Sequence, residues 1–196
     1  MNKGILYVIS GPSGTGKGTI CAEIIERRDI HLSVSTTSRS KRVGEIAGVT
    51  YNYTTPERFK SMADNGELLE WAVYNGNYYG TPKAQIEDML DEGKDVLLEI
   101  EPQGALKVKE ILPETVLIFV IPPSMKILRD RLVSRGREDE EEINDRISSA
   151  KWEFMQAFKY NYIVENDDLG VCVARVMQIM DQCTAERKKI YQLLNS

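Results

Sequence analysis

Eight residues near the N-terminus, GPSGTGKG at 11–18, combine four glycines with one lysine. They follow the apolar run ILYVIS directly and precede TICAEIIERR, which has the pattern of a helix. Glycines allow successive backbone N–H groups to point into one concavity, and a helix N-terminus adds partial positive charge. The segment therefore predicts a loop that binds nucleotide phosphates, with the lysine reaching the outer ones. The residues expected to bind are Gly11, Pro12, Ser13, Gly14, Thr15, Gly16, Lys17, Gly18 and Thr19.

The last position of this loop is unusual for a site that uses magnesium. Phosphate-binding loops commonly carry Ser or Thr there, and its hydroxyl ligates the ion. This chain has Gly18, which offers no side chain. Either Thr19 takes over the role, or the ion is held through water and the nucleotide phosphates, because magnesium readily keeps several waters.

Size and charge limit the kind of protein that these residues serve. The chain has 196 residues, 42% of them apolar, which is enough for one principal domain with a small insertion. Its 25 basic residues are outnumbered by 30 acidic ones, which argues against general binding to nucleic acid or to a membrane surface. An anionic ligand must therefore be held by local groups.

Cysteine and histidine usage bears on compartment and chemistry. The three cysteines, Cys21, Cys172 and Cys183, lack metal-site spacing and lie in apolar-periodic contexts, which predicts buried, reduced thiols. A single histidine excludes a His-rich metal site and argues against Ser-His-Asp catalysis. No run has the length of a signal peptide's apolar region or of a membrane span. A cytoplasmic protein is expected.

The elements that must position the loop follow an alternating pattern. Short apolar runs, typical of strands covered on both faces, occur at 5–10, 31–36, 95–100, 115–121 and 161–166. Helices are predicted over 17–28, 82–92, 124–134 and 168–194. In the second of these, Thr81 is the expected N-cap and Pro82 lies in the first turn. The alternation predicts an α/β fold with a parallel sheet and crossover helices.

The region 36–81 departs from this rhythm. It contains the more polar strand patterns VTYNYT and LLEWAVY, a hairpin signal at Asn75-Gly76 and a short helix starting at Thr55-Pro56. We expect a small antiparallel insertion there.

Two segments of this region, SVSTTSRSKRVGEIAGVTYNY and GELLEWAVYNGNYYGT, resemble the guanylate kinase family. The resemblance continues in order through SGPSGTGKG, LLEIEPQGA, RLVSRGREDEEEINDRI and VENDDL, and so covers nearly the whole chain. It implies an α/β, three-layer P-loop kinase fold with a parallel central sheet, an inserted α+β GMP-binding subdomain and a mobile lid. The implied boundaries are 1–34, 82–134 and 147–196 for the core, 35–81 for the insertion and 135–146 for the lid.

The resemblance also implies a reaction. The γ-phosphoryl group of ATP passes to GMP, and by extension dGMP, giving ADP and GDP with Mg²⁺ as cofactor. Such an enzyme would support guanine nucleotide synthesis and recycling. Its partners would be these nucleotides, with no nucleic acid or membrane, and the oligomeric state is left open.

Guanine presents two donors, N1–H and N2–H, beside the acceptor O6, so a carboxylate paired with a hydroxyl is complementary to it. The resemblance assigns these roles to Glu70 and Thr81, together with Ser35. Adenine would turn an acceptor toward the carboxylate, and sites built on such hydrogen bonds discriminate by about 10⁴-fold.

The monophosphate is assigned to a basic loop. Arg39 and Arg42 would bind it bidentately, and the hydroxyls of Tyr51 and Tyr79 would donate hydrogen bonds. Without the family pattern, the segment RSKR is typical of a solvated basic loop. Glu45 either belongs to the same site or orients the arginines.

Phosphoryl transfer requires cations around the transferred group. Lys17, Arg39, Arg135 and Arg146 are the expected catalytic residues, the last two matching the lid pattern. The same charged segment would also be typical of an exposed turn followed by a helix start.

Three further positions complete the implied site. Glu99 would orient the magnesium shell, alone or with Thr19 and through water, and Glu101 would meet the acceptor nucleoside. The family usually has aspartates at these two glutamate positions, so the carboxylates are longer by a methylene. Asn166 either pairs with the adenine edge or holds the loop that covers it.

Two other functions share parts of this pattern. A catalytically silent guanylate-kinase-like module would bind proteins, but such modules typically lose the loop cations, which Lys17, Arg39 and Arg42 preserve here. A kinase acting on AMP, UMP or a shikimate-like alcohol would share the phosphate loop but not Glu70 with its hydroxyl partner. Assays with each acceptor separate the three.

Overall fold

The computed structural model describes residues 3–74, 76–134, 136 and 139–194. Its central sheet has five parallel strands in the order β2-β7-β1-β8-β9, numbered along the chain. The strands are β1 (Leu6–Ser10), β2 (His31–Leu32), β7 (Val96–Glu99), β8 (Val116–Ile121) and β9 (Tyr162–Glu165).

The middle strand of this sheet, β1, is buried along its whole length. It pairs with β7 on one side, Leu6 opposite Val96, and with β8 on the other, Tyr7 opposite Val116. Strands covered on both faces bury nearly every side chain, which explains their continuous apolar runs. The predicted parallel sheet is confirmed.

Helices cover both faces of the sheet. They are α1 (Lys17–Arg27), α2 (Pro56–Asp64), α3 (Ala84–Asp91), α4 (Pro102–Ile111), α5 (Met125–Ser134), α6 (Glu140–Gln156) and α7 (Leu169–Leu194). One core cluster lies between the sheet and α1 and α7, and a second lies between the sheet and α3 and α4. These helix, sheet and helix layers give the expected three-layer α/β architecture.

A second, four-stranded sheet has the order β4-β3-β6-β5. Its strands are β3 (Thr36–Thr37), β4 (Asn52–Tyr53), β5 (Leu68–Tyr74) and β6 (Asn77–Pro82). The last two pair antiparallel, with Tyr74 opposite Asn77, as the hairpin signal predicts; Asn75 itself lies outside the described residues. The insertion is not antiparallel throughout as expected, because β3 and β4 pair in parallel. Phe59 of α2 is fully buried against this sheet and stacks on Tyr78 with ring centroids 5.3 Å apart.

Two further details of the sequence prediction are wrong. The strand expected over 31–36 ends at Leu32, because the chain changes sheets: Ser33 N–H still bonds Leu97, whereas the Ser35 carbonyl accepts from Asn52 of the second sheet. The second concerns Thr81, which lies in β6 and does not cap a helix. Helix α3 starts only at Ala84, after Lys83 as N-cap.

The pattern also left two helices unassigned, α4 entirely and α6 beyond its charged start. Pro102 and Gly104 in the first turn of α4 weaken its helical signal, although proline is well tolerated at that position. Helix α6 begins with a capping box, in which Asp139 accepts from Glu142 N–H and Glu142 accepts from Asp139 N–H.

The remaining expectations concern cysteines and membranes. Cys21 and Cys172 are buried, Cys183 is half-buried, and all three are free thiols. Burial raises the pKa of the Cys21 thiol. Within the described parts of the chain, we find no helix with the length and apolar character needed to cross a bilayer.

Candidate active site

The loop between β1 and α1 needs glycine at particular positions. Gly11 and Gly16 both have positive φ, 141° and 93°. A Cβ on Gly11 would lie 2.4 Å from the Val120 carbonyl oxygen, and one on Gly16 would lie 2.5 Å from Nδ2 of Asn166. A side chain at either position would therefore collide with the neighbouring strand or loop.

A hydrogen-bonded turn closes this loop over the start of α1. The Thr15 hydroxyl donates to the Pro12 carbonyl at 2.9 Å, and the Thr15 N–H donates to the same oxygen at 3.3 Å. The buried hydroxyl is thus satisfied inside the loop. The first turn of α1 contains no acidic residue, so its unpaired N–H groups remain suited to an anion.

Lys17 is buried at the first position of α1. Its ammonium donates to the carbonyls of Gly11, at 2.5 Å, and Pro12, at 3.2 Å. It also lies 3.5 Å from Oε1 of Glu101. The positive charge that is expected to bind nucleotide phosphates therefore lies against the first residues of the loop.

Asn166 connects the far end of the sheet to the phosphate loop. It follows β9, is buried, and donates from Nδ2 to the Thr15 carbonyl at 2.8 Å. Its own backbone carbonyl accepts from Nη2 of Arg131 at 2.8 Å. Two roles were expected for Asn166, pairing with a base edge or holding a loop. The contacts are those of a residue that holds a loop, and this loop is the phosphate loop.

Glu99 is the last residue of β7, the neighbour of the middle strand, and Glu101 lies two residues further along at the same edge of the sheet. Both carboxylate oxygens of Glu99 lie 3.4 Å from the place that a Cβ on Gly18 would occupy. The longer carboxylate thus fills the space next to the glycine that replaces the usual Ser or Thr. Thr19 lines the same cavity. Among the described residues, no group of three or more His, Cys, Asp or Glu is arranged to hold a metal.

The second sheet contributes a buried carboxylate with a hydroxyl partner. Glu70 of β5 is 7% exposed, and the Thr81 hydroxyl of β6 donates to its Oε1 at 2.6 Å. The two residues face each other in the β5–β6 register, next to an irregularity between Leu68 and Glu70. Burial raises the pKa of Glu70, and the hydrogen bond from Thr81 partly opposes the shift.

The basic loop is organised by one acidic residue. Glu45 accepts from Nη2 of Arg39 through Oε1, and from the Arg42 N–H and the Tyr53 hydroxyl through Oε2, each at 2.7 Å. The ion pair and hydrogen bond with Arg39 lower the pKa of Glu45 to about 2 and raise the pKa of Arg39. Glu45 therefore orients the first arginine and the backbone of the second.

Two tyrosines lie beside these arginines. The Arg39 guanidinium carbon is 5.5 Å from the centroid of the Tyr51 ring, and the Tyr51 and Tyr79 rings meet edge to face at 5.9 Å. Burial raises the pKa of Tyr51 to about 12. The Tyr51 hydroxyl consequently stays protonated at neutral pH and can donate.

Helix α6 carries two charged side chains that interact with residues of the site. Arg146 donates from Nη1 to the Ser13 hydroxyl at 2.5 Å. Glu153, two turns further along, was not predicted from the sequence. Burial, and then the charge of Glu101, raise its pKa to about 7, whereas Lys17 and Arg146 oppose the shift. Glu153 lies seven residues after Arg146 and therefore on the same face of the helix. This spacing could have revealed Glu153 from the sequence.

A cavity of about 830 Å³ brings the two sheets' residues together. The predicted residues that line it are Ser13, Gly14, Gly16, Lys17, Gly18, Thr19, Ser35, Arg39, Arg42, Glu45, Tyr51, Glu70, Tyr79, Glu99, Glu101 and Arg146. Gly11, Pro12, Thr15, Thr81 and Asn166 support this lining through the contacts above. Arg135, expected in the lid, lies outside the described residues.

Comparison with known proteins agrees with this architecture. The family model described as guanylate kinase matches residues 3–183. The guanylate kinase of Halalkalibacterium halodurans is 49% identical over 197 residues, covering 98% of this chain and 97% of its own. That of Caldanaerobacter subterraneus subsp. tengcongensis is 50% identical over 190 residues, covering 95% and 92%. The crystal structure of guanylate kinase from Anaplasma phagocytophilum has a TM-score of 0.78 at 33% identity, covering 93% of this chain and 87% of that chain.

Sequence motifs, fold and relatives therefore agree over almost the same residues. The family match begins before the phosphate loop and ends within α7, so it includes both sheets and the cavity between them. The resemblance drawn from the motifs is confirmed. This chain belongs to the guanylate kinase family and is an enzyme, a nucleotide-binding kinase.

Proposed function

We propose that this kinase transfers the γ-phosphoryl group of ATP to GMP, giving ADP and GDP. The observation that carries the proposal is the Glu70–Thr81 pair, which is buried and hydrogen-bonded beside the cavity that the phosphate loop also lines. One site thus has groups for a purine base and groups for a phosphate chain.

The base is proposed from hydrogen-bond complementarity. The free lone pairs of the Glu70 carboxylate can accept from N1–H and N2–H of guanine, and the Thr81 hydroxyl already uses its proton on Oε1. Adenine would instead place the lone pair of its N1, an acceptor, opposite the same Glu70 carboxylate oxygens. A buried carboxylate left without donors is costly, so adenine is rejected.

The acceptor phosphate is proposed to bind between Arg39, Arg42, Tyr51 and Tyr79. The arginine held by Glu45 is pre-oriented, which reduces the entropy lost when a phosphate binds. Ser35 and Glu101 line the same cavity and complete the acceptor side. The region 35–81 acts in this proposal as the GMP-binding insertion.

The donor triphosphate is proposed to bind the glycine loop. Lys17 then exchanges the Gly11 and Pro12 carbonyls for phosphate oxygens, and Arg146, on the far side of Ser13, approaches the transferred group. Positive charges fixed in place before the reaction stabilise the charge that spreads over that group. Arg135 of the expected lid, 135–146, would add a further cation.

Magnesium is proposed as the cofactor. Glu99 and Thr19 offer the hard oxygen donors that this ion prefers, on either side of Gly18. When bound, the ion would neutralise charge on the β- and γ-phosphates. Glu99 would orient its water shell, which explains how a loop without the usual hydroxyl at position 18 can serve.

The proposal extends to dGMP, because the groups described address the base and the phosphate, which GMP and dGMP share. In the cell such a reaction supports guanine nucleotide synthesis and recycling in the cytoplasm. Nucleic acids and membranes have no part in it.

The test is to offer ATP with each acceptor in turn and to measure ADP. Product with GMP and dGMP, but not with AMP, UMP or shikimate, supports the proposal. Product with another acceptor instead would assign a different substrate, and no product with any acceptor would favour a protein-binding module. Replacing ATP by GTP and omitting Mg²⁺ test the donor and the cofactor in the same assay.

A further inference from the structure

A glycine of the core helix α4 lies directly against the buried carboxylate of the insertion. Gly104 is the third residue of that helix and is buried. A Cβ placed on it would lie 2.6 Å from Oε2 and 3.1 Å from Cδ of Glu70. A Cβ atom does not approach a non-bonded oxygen or carbon atom so closely. The space that alanine would fill at position 104 is therefore occupied by the carboxylate.

No backbone requirement accounts for glycine at this position. Gly104 lies within a regular helix and is absent from the glycines with positive φ, unlike Gly11 or Gly16. Glycine in a helix costs about 1 kcal/mol relative to alanine. Close approach of another group is the physical reason that remains.

The Glu70 carboxylate is confined on two sides. Its Oε1 accepts the Thr81 hydroxyl, and its Oε2 lies over Gly104, so a shift away from α4 would disturb the bond to Thr81. The helix and strand β5 are held together nearby, because Nζ of Lys107 donates to the Trp71 carbonyl at 2.6 Å. The helix therefore fixes the direction in which the carboxylate faces the cavity.

We propose that Gly104 is a specificity-determining positioning residue, which leaves room for the Glu70 carboxylate to meet the N1–H and N2–H edge of guanine. The inference rests on the proposed function, since it names a determinant of the same base site. Gly104 acts on the base through Glu70.

The test is the ratio of kcat/KM for GMP over IMP, a purine nucleotide that lacks the 2-amino group. Gly104→Ala should reduce this ratio about tenfold or more, the order expected for losing a hydrogen bond to a charged group. The loss should appear mainly as a higher KM for GMP, with the KM for ATP unchanged. If Gly104→Ala did no more than stabilise the helix, the GMP over IMP ratio and the KM for GMP would be the same as in the unaltered enzyme.

Gly170→Ala is the matched control. Gly170 is also a first-turn glycine, in α7, and its added Cβ would come within 3.3 Å only of Oδ1 of Asp168, the end of an exposed side chain. It gains the same helix propensity and lies away from the cavity lining. The GMP over IMP ratio should not change in this variant.

A double-mutant cycle tests whether the effect passes through the carboxylate. In a Glu70→Ala background, which removes the colliding group, Gly104→Ala should alter the GMP over IMP ratio no further. If Gly104→Ala fails to fold, the variant that also carries Glu70→Ala should fold, because the colliding carboxylate is gone. A double variant that is still unfolded would overturn the inference.

The possible failures are distinguishable. If the unaltered enzyme forms no GDP from GMP, the proposed function falls and the inference falls with it. If it does form GDP but Gly104→Ala keeps the GMP over IMP ratio and KM of the unaltered enzyme, the inference alone is wrong.

Discussion

At the scale of single residues, charge in this site is set by the nearest neighbours. The Lys17 ammonium is satisfied by two loop carbonyls and lies near Glu101, while Arg39 is paired with Glu45. Each cation is thus held in place by a partner that a phosphate oxygen can replace or join. Pre-organised charge of this kind lowers the cost of binding a highly charged nucleotide.

Lys17→Met should reduce turnover by at least about a hundredfold, because it removes a cation placed to stabilise the transferred group. The protein should stay folded, since the methionine retains most of the apolar stem. ADP formation with GMP and ATP, together with the melting temperature, measures both effects. Lys188→Met, which removes an exposed lysine of α7, is the control and should leave turnover unchanged. Normal turnover in Lys17→Met would show that the loop is misinterpreted.

Residue types and spacing could predict the phosphate loop, because its glycines and lysine adjoin one another in sequence, whereas the residues of the acceptor side were expected from the family resemblance. What the sequence could not show are contacts made across the fold. The Asn166 amide donates to the Thr15 carbonyl, 151 positions away in the sequence. The Glu70 carboxylate lies against Gly104, which belongs to a helix that covers the other sheet. Such contacts depend on packing distances, which no local pattern encodes.

At the scale of elements, the strand ends and the helix starts determine where the charged groups meet. Asn166 lies between β9 and α7, and its amide supports the phosphate loop at the start of α1. One side chain thereby connects the edge of the central sheet with the loop at its centre.

Asn166→Ala should weaken the loop and leave the buried Thr15 carbonyl without its donor. We expect a loss of about 1–3 kcal/mol in the free energy of unfolding, the cost of such an unsatisfied group. The KM for ATP should rise more than the KM for GMP. Urea unfolding and steady-state kinetics measure the two effects. An equal rise in both KM values would contradict the assignment to the donor side.

Helix α6 places Glu153 in a setting that makes stability depend on pH. Its pKa is raised by burial from the ordinary value of 4.5 to about 7, and its Oε2 is buried without a hydrogen-bond partner among the described residues. Between these two pH values the folded protein holds a proton that the unfolded chain has lost. The free energy of unfolding should therefore fall as pH rises from 4.5 to 7, by on the order of 2 kcal/mol.

Glu153→Gln removes this dependence. At pH 4.5 the free energy of unfolding of the variant should be equal to or lower than that of the original protein. It should rise relative to the original as pH increases to 7, above which the difference becomes constant. Urea unfolding across this range measures the difference directly, so titrations shared by both proteins cancel. A difference that stays flat with pH would contradict the assigned pKa.

The element predictions succeeded where burial imposes a strict pattern, as in β1 and β8, and at the start of α5. There Ser124, the first residue of the helix expected over 124–134, accepts from Ile127 N–H. They failed at Thr81, because Thr-Pro signals a helix start locally. The β5–β6 pairing and the hydroxyl's bond to Glu70 override that preference.

At the scale of the whole molecule, two sheets divide the work. The central sheet presents the phosphate loop and the two glutamates at the carboxyl ends of its strands, where parallel sheets bind ligands. The smaller sheet presents Glu70 and the tyrosines across the cavity. In the proposed reaction, donor and acceptor would bind this one cavity from its two sides.

The central claim is that this acceptor site selects guanine through Glu70. The most direct measurement compares kcat/KM for GMP and AMP in the unaltered enzyme and in Glu70→Gln, with ATP as donor. We predict a preference for GMP of about 10⁴-fold in the unaltered enzyme and a loss of most of it in the variant, with the KM for ATP little changed. If Glu70→Gln discriminated between the two nucleotides as strongly as the unaltered enzyme, the account would be wrong.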